Sequence, residues 1–187
     1  MKKTTYRNAS KGQTQRTIEL EAALENMRTE IKSKPVSTLR QNLAYTTSGK
    51  RNDFAEKLPV LVFGGVFNKK ESEQEQTSYN GLILLEINKL ANFHEAAKLR
   101  HLASGLPQTL VAFIGSSGRS VKIIVPFSLP DGTLPQSREL IDRFHAQAYR
   151  DAVKWYQPQL KREIELKKPM VERGCRLSLD PDLYYNP

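Results

Sequence analysis

The stretch Gly81-Leu82-Ile83-Leu84-Leu85-Glu86-Ile87-Asn88 constrains the fold most, because it is an apolar strand that delivers a polar pair at positions i and i+2. Side chains alternate across a strand, so Glu86 and Asn88 project from one face near its C-terminal end. Two acids so placed would hold a divalent metal, but Asn88 offers a neutral carbonyl oxygen and no charge. The pair reads as a metal site in weakened form, or as a strand end entering a turn.

Residues 1–16 carry Lys2, Lys3, Arg7, Lys11 and Arg16 without an acid and read as a disordered or loosely attached arm. Over residues 17–33, Ile18, Ala22, Met27 and Ile31 suit an amphipathic helix that Pro35 ends; it packs on the domain or mediates self-association. Val60, Leu61, Val62 and Phe63 form a strand candidate broken by Gly64-Gly65, and the hydrophilic residues 68–80 read as a surface loop. Asn92-Phe93-His94-Glu95 opens a helix with a capping-box pattern, stopped by Gly105. Residues 110–114 and 121–125 follow as hairpin strands around a Gly/Ser-rich tip. A long helix over about residues 135–156 ends or kinks at Pro158, and residues 175–179 read as a last strand. This order predicts an α+β fold, a mainly antiparallel sheet with helices packed on one face. Residues 1–35 are expected to form the arm and helix, and residues 36–187 the domain.

A chain of 187 residues is long enough for a real core. Its single Cys175 rules out an internal disulfide and fits a reducing, cytoplasmic setting. No stretch reaches bilayer-spanning length, so no membrane partner is expected. The net charge of +9 points to a polyanionic partner, of which nucleic acid is the commonest, or else to a solvated basic surface.

Polar groups fall at the ends of three expected strands: Glu86 with Asn88, the residues from Ser116 to Lys122, and Arg176 with Asp180 and Asp182. If those strands are neighbours, the groups converge on one open face. The tip Ser116-Ser117-Gly118-Arg119 lacks the Gly-Lys-Ser/Thr ending and following helix of a P-loop, so it is a plain turn or receives phosphate through its amides and Arg119. Arg176 reads as a structural ion-pair partner or a phosphate contact. His94 and His101 share a helix face, but His145 lies on another helix and nothing completes a ligand set. Cys175 reads as packing.

Four segments carry a resemblance: Leu58-Pro59 with Gly64-Gly65-Val66-Phe67; residues 81–88; residues 113–125, which include Gly115-Ser116-Ser117-Gly118-Arg119 and Lys122; and Arg176-Leu177-Ser178-Leu179-Asp180-Pro181-Asp182-Leu183-Tyr184. Over about residues 36–187 the chain resembles the VirE N-terminal domain family of bacterial mobile-element proteins, within the primase-polymerase domains of the archaeo-eukaryotic primase superfamily. The resemblance implies a primase-polymerase-like fold. In active members an acid-x-acid pair and a later aspartate bind two divalent metals, and a Ser-x-His element contacts the nucleotide. Such chemistry needs several carboxylates. Glu86 and Asn88 stand in the acid-x-acid places, Lys122 where a histidine is expected, and Asp180 or Asp182 as the late aspartate. Ser116, Ser117, Gly118, Arg119, Lys122 and Arg176 would contact nucleotide or phosphate.

Asn88 removes a metal-binding charge, Glu86 is longer by a methylene than an aspartate, and Lys122 remains suited to a phosphate. The expectation is a primase-like, nucleic-acid-associated domain of a mobile-element protein with a weakened or lost nucleotidyltransferase site. Magnesium or manganese would sit at Glu86 and Asp180. Single-stranded DNA or RNA, a nucleotide, and a helicase or other mobile-element protein are the expected partners. The rivals are a non-enzymatic scaffold that keeps the fold, and a narrow nucleotidyltransferase using Glu86 and Asp180 with manganese. Glu86, Asn88, Lys122 and one of Asp180 and Asp182 are expected to face one cleft.

Overall fold

Alternating side chains on the apolar strands feed two cores, one on each side of a central sheet. The computed structural model describes residues 2–7, 15–45, 53–70 and 73–187. In chain order the elements begin with β1 (Lys3–Arg7), β2 (Gln15–Glu19), α1 (Leu20–Arg28), α2 (Glu30–Tyr45), α3 (Asp53–Glu56) and β3 (Val60–Val62). Then come β4 (Gly65–Lys70), β5 (Glu73–Tyr79), β6 (Leu82–Ile87), α4 (Phe93–Ser104), β7 (Val111–Ile114) and β8 (Val121–Pro126). The chain closes with α5 (Arg138–Leu160), β9 (Gly174–Arg176) and β10 (Tyr184–Tyr185). The central sheet has the order β10-β7-β8-β6, a second sheet the order β2-β1-β3-β9, and β4 pairs with β5. These pairings are antiparallel, so the fold is α+β as expected.

On β6, Ile83, Leu85 and Ile87 pack with Ala96, Leu99 and Ala103 of α4 and with Ala148, Ala152 and Tyr156 of α5. Leu82 and Leu84 point the other way and join Phe113, Ile124, Leu61, Cys175 and the α1 residues Leu24 and Met27. Burying each such large apolar side chain stabilises the fold by about 1.5–3 kcal/mol. Both faces of β6 are therefore covered: α4 and α5 lie on one, and the second sheet with α1 lies on the other. Its unbroken apolar run follows from that double burial.

Several elements differ from the sequence-based expectation. Residues 3–7 and 15–19 are paired strands, not a loose arm, and β1 lies between β2 and β3. Thr4 and Thr5 are buried there; the Thr5 hydroxyl donates to Gly65 O at 3.3 Å and accepts from Phe67 N at 2.9 Å. Lys11 lies outside the described residues. The helix expected from residue 17 starts at Leu20, because residues 15–19 belong to β2. It buries Leu20, Ala23, Leu24 and Met27 in the protein's own core, so that face is not left for a partner. Pro35 lies inside α2 and does not end a helix.

Residues 65–70 and 73–79 are antiparallel partner strands, so most of the loop expected over residues 68–80 is strand, pairing through the backbone without apolar alternation. The long helix runs on through Pro158 to Leu160. The α4 start is as expected in kind: the Asn92 side chain accepts from Glu95 N at 2.9 Å, and Glu95 accepts in return from Ala91 N at 2.6 Å. Among the described residues, no helix is long and apolar enough to cross a membrane.

Candidate functional site

Strand register builds the site. Glu86 on β6 lies opposite Lys122 on β8, and both share the face of Leu84 and Ile124, which is turned towards the second sheet. Beyond the last apolar layer, a cleft of about 510 Å³ opens between the two sheets. That volume suits a small-molecule or nucleotide-sized ligand. Leu39 and Leu43 of α2, Ala55 of α3 and Val60 of β3 give it an apolar wall. Its polar lining includes Asn88 and Ser116, Ser117 and Ser120 of the β7–β8 turn. Among the described lining residues the charged groups are Lys122, Lys167, Arg173 and Arg176 against the single carboxylate of Glu86.

Glu86 is only 6% exposed and accepts from three cations. Lys122 Nζ reaches Oε1 at 2.8 Å, while Lys167 Nζ at 2.8 Å and Arg173 Nη2 meet Oε2. Burial works to raise the Glu86 pKa, but the charge and hydrogen bond of Lys122, the Lys167 hydrogen bond and Arg173 outweigh it and hold the group down at about 2. Lys122 also donates to Asn88 Oδ1 at 3.0 Å, and Asn88 Nδ2 donates to Glu165. Gly115 makes room for this arrangement, since a Cβ there would lie 2.1 Å from Ser120 Oγ and 3.2 Å from Lys122 Cε. Cys175 lines the cleft but is buried, and burial pushes its thiol up to about 12, so it packs and does not act as a nucleophile.

Lys167 and Arg173 escaped the sequence reading. They belong to residues 161–173, which link α5 to β9 without helix or strand. Glu165 N donates to Glu86 O at 2.9 Å, and Tyr149 Oη donates to Glu165 O at 2.9 Å, which fixes this segment along β6.

The cleft unites Glu86, Asn88, Lys122, Ser116, Ser117 and Arg176, but it does not include the expected aspartates. Asp180 is 1% exposed and accepts from Ile114 N at 2.7 Å and from Arg100 of α4, so it ties the C-terminal segment to β7. Asp182 is exposed, with Arg100 at 3.4 Å. The expected metal pair of Glu86 and Asp180 is therefore corrected: the two carboxylates have separate partners. Among the described residues no group of three or more His, Cys, Asp or Glu side chains is placed to hold a metal ion. A carboxylate already bonded to three cations does not fit magnesium or manganese, which need free oxygen ligands.

The expected phosphate cradle at the turn is corrected as well. Gly118 N donates to Gly115 O at 2.9 Å and Arg119 N to Ser117 Oγ at 3.2 Å, while neither residue lines the cleft. Arg40 of α2 takes the turn's carbonyls, donating to Ser116 O and Gly115 O at 3.2 Å each and to Leu179 O at 2.7 Å. The turn is thus braced from outside, and its contribution to the cleft is hydroxyl groups.

A family model described as BT4734-like, N-terminal domain, matches residues 53–185, which contain all four segments of the resemblance set out above. That description names neither VirE nor a primase. No curated protein matches the chain, and no solved structure does.

Proposed function

The chain belongs to the BT4734-like N-terminal domain family, and from that premise we propose that it is a primase-like, nucleic-acid-associated domain of a mobile-element protein. In this reading the cleft binds a nucleotide or a single strand of DNA or RNA through phosphate, and the nucleotidyltransferase site is weakened or lost. One observation carries it: the acid at the first acid-x-acid place, Glu86, is neutralised by Lys122, Lys167 and Arg173. A cluster with that balance attracts anions and repels divalent cations. The apolar wall of Leu39, Leu43, Ala55 and Val60 supplies a surface for a base or sugar. The resemblance to the VirE N-terminal domain family supports the same reading, with a helicase or other mobile-element protein as the expected companion.

The test is titration of ATP and of a single-stranded oligonucleotide into the full chain, with and without manganese, followed by a primer-synthesis assay. Binding without a metal requirement and without primer extension is expected. With three cleft cations on phosphates and a slope of about −0.7 per contact, strand affinity should fall about 20-fold between about 50 and 200 mM salt. Absence of binding at low salt overturns the cleft as a phosphate site. Manganese-dependent primer synthesis overturns the loss of catalysis.

A further inference from the structure

Charge within the cleft is not balanced. Lys122, Lys167 and Arg173 share Glu86, and Lys167 also meets Glu165 at 3.2 Å. Arg176 lines the same cleft, is exposed, and has no acid partner among the described residues. Arg173 Nη1 is buried and has no hydrogen-bond acceptor among them either. Four cations therefore face two carboxylates, and donor capacity remains on Arg173 and Arg176. An unpaired buried guanidinium nitrogen carries a desolvation cost that an incoming acceptor removes.

Two positive charges in excess match a doubly charged anion better than a singly charged one. A phosphodiester inside a strand carries one charge, whereas a terminal phosphate carries about 1.5 to 2 at neutral pH and offers three acceptor oxygens. Guanidinium groups recognise that group in a bidentate way. Lys167, with a side chain 41% exposed, stands at the solvent side of the cluster, while Lys122 at 10% and Arg173 at 15% lie deeper.

We propose that Lys167, Arg173 and Arg176 form a subsite for a doubly charged terminal phosphate, on a nucleotide or at the end of a strand, and that Glu86 is the fixed counter-charge that tunes the subsite to that ligand. The proposal rests on the reading of the cleft as a phosphate site and specifies its ligand class. Lys122 stays on Glu86 and Asn88, holding the carboxylate in place. The terminal phosphate takes the donors that Glu86 leaves over, and the apolar wall receives the attached sugar or base.

The experiment uses the full chain with two probe pairs at low salt: AMP against adenosine, and one oligonucleotide of fixed sequence with a 5′-phosphate against the same with a 5′-hydroxyl. The phosphorylated member of each pair is expected to bind at least tenfold more tightly. Arg176→Gln, at an exposed position with no partner to strand, should erase that difference. Glu86→Gln should tighten binding of phosphorylated and unphosphorylated strands alike and narrow the ratio between them. If that variant does not fold, the Arg176→Gln comparison and the wild-type ratios still decide. Equal affinity within both pairs overturns the terminal-phosphate subsite and leaves strand binding in the cleft standing. Preference for AMP over adenosine with no binding of either strand sustains the subsite and overturns the nucleic-acid reading. No binding of any probe overturns both.

Discussion

Asp180→Ala separates a structural carboxylate from a metal ligand. The wild-type side chain accepts from the buried Ile114 amide at 2.7 Å and from Arg100, whose side chain is 13% exposed. Alanine leaves the amide without an acceptor, at about 1–3 kcal/mol, and removes one partner of a buried ion pair, at about 3–5 kcal/mol. The two costs overlap, and Arg100 keeps its contact with Asp182 at 3.4 Å. A net loss of about 3–4 kcal/mol is expected. With a urea slope of about 2 kcal/mol/M for a chain of this size, the unfolding midpoint should fall by about 1.5–2 M. Far-UV circular dichroism in urea at pH 7 measures it. Asp180→Asn, which still offers Ile114 an oxygen, should lose about half as much. Nucleotide affinity of the folded variants should stay within twofold of wild type, with or without manganese. If Asp180→Ala costs under about 1 kcal/mol while abolishing manganese-dependent nucleotide binding, the aspartate is a metal ligand and the assignment to the β7 tether is wrong.

Two further outcomes follow from the same structure. His145 is held near pKa 4, below its ordinary 6.5, by burial and the charge of Arg173 against the opposing pull of Glu172 and Asp142, and its Nδ1 lies 3.1 Å from Tyr79 Oη. A depressed folded pKa means stability present above about pH 6.5 and lost as pH falls towards 4, worth about 3 kcal/mol; unfolding free energies from pH 7 to 4.5 should show it, and His145→Gln should flatten that part of the slope. The Glu86 window lies lower, between 4.5 and about 2, so it meets the His145 window only below pH 4.5, outside the measured range. Asn88→Asp should bring a third carboxylate beside Glu86 and Glu165, where Asn88 Nδ2 now donates to Glu165. Calorimetric titration should show manganese bound about tenfold or more tightly than by wild type. An unchanged isotherm would mean that Lys122, Lys167 and Arg173 exclude cations whatever acid is added.

The parts of the fold legible in the sequence are those whose chemistry is local. The β7–β8 hairpin declares itself by two apolar runs around a Gly/Ser tip, and α4 by the Asn92 to Glu95 cap. Alternation also places Glu86 and Asn88 on one face, where Lys122, opposite Glu86 in the register, donates to both. By contrast β1, β2, β4 and β5 carry no apolar alternation, because they are held by pairing and by buried threonine hydroxyls. The aspartates misled for a related reason: a strand-end position fixes that Asp180 is near the sheet, but not that it turns to Arg100 and Ile114.

Lys167 and Arg173 lie 81 and 87 residues from Glu86, on a segment with no period, so no local pattern could join them. A physical argument nevertheless points towards them. A carboxylate at the end of a doubly buried strand is retained as a charge only if cations pair with it. Lys122, directly opposite, supplies one, but a carboxylate has two oxygens to satisfy. The remaining donors had to come from a chain segment rich in basic residues and free of helix or strand constraints. Residues 161–173, with Lys161, Arg162, Lys167, Lys168 and Arg173, are such a segment. Of that segment Lys167 and Arg173 reach the cleft, and with Arg176 of β9 they leave it positive, so one buried acid accounts for how the segment is anchored.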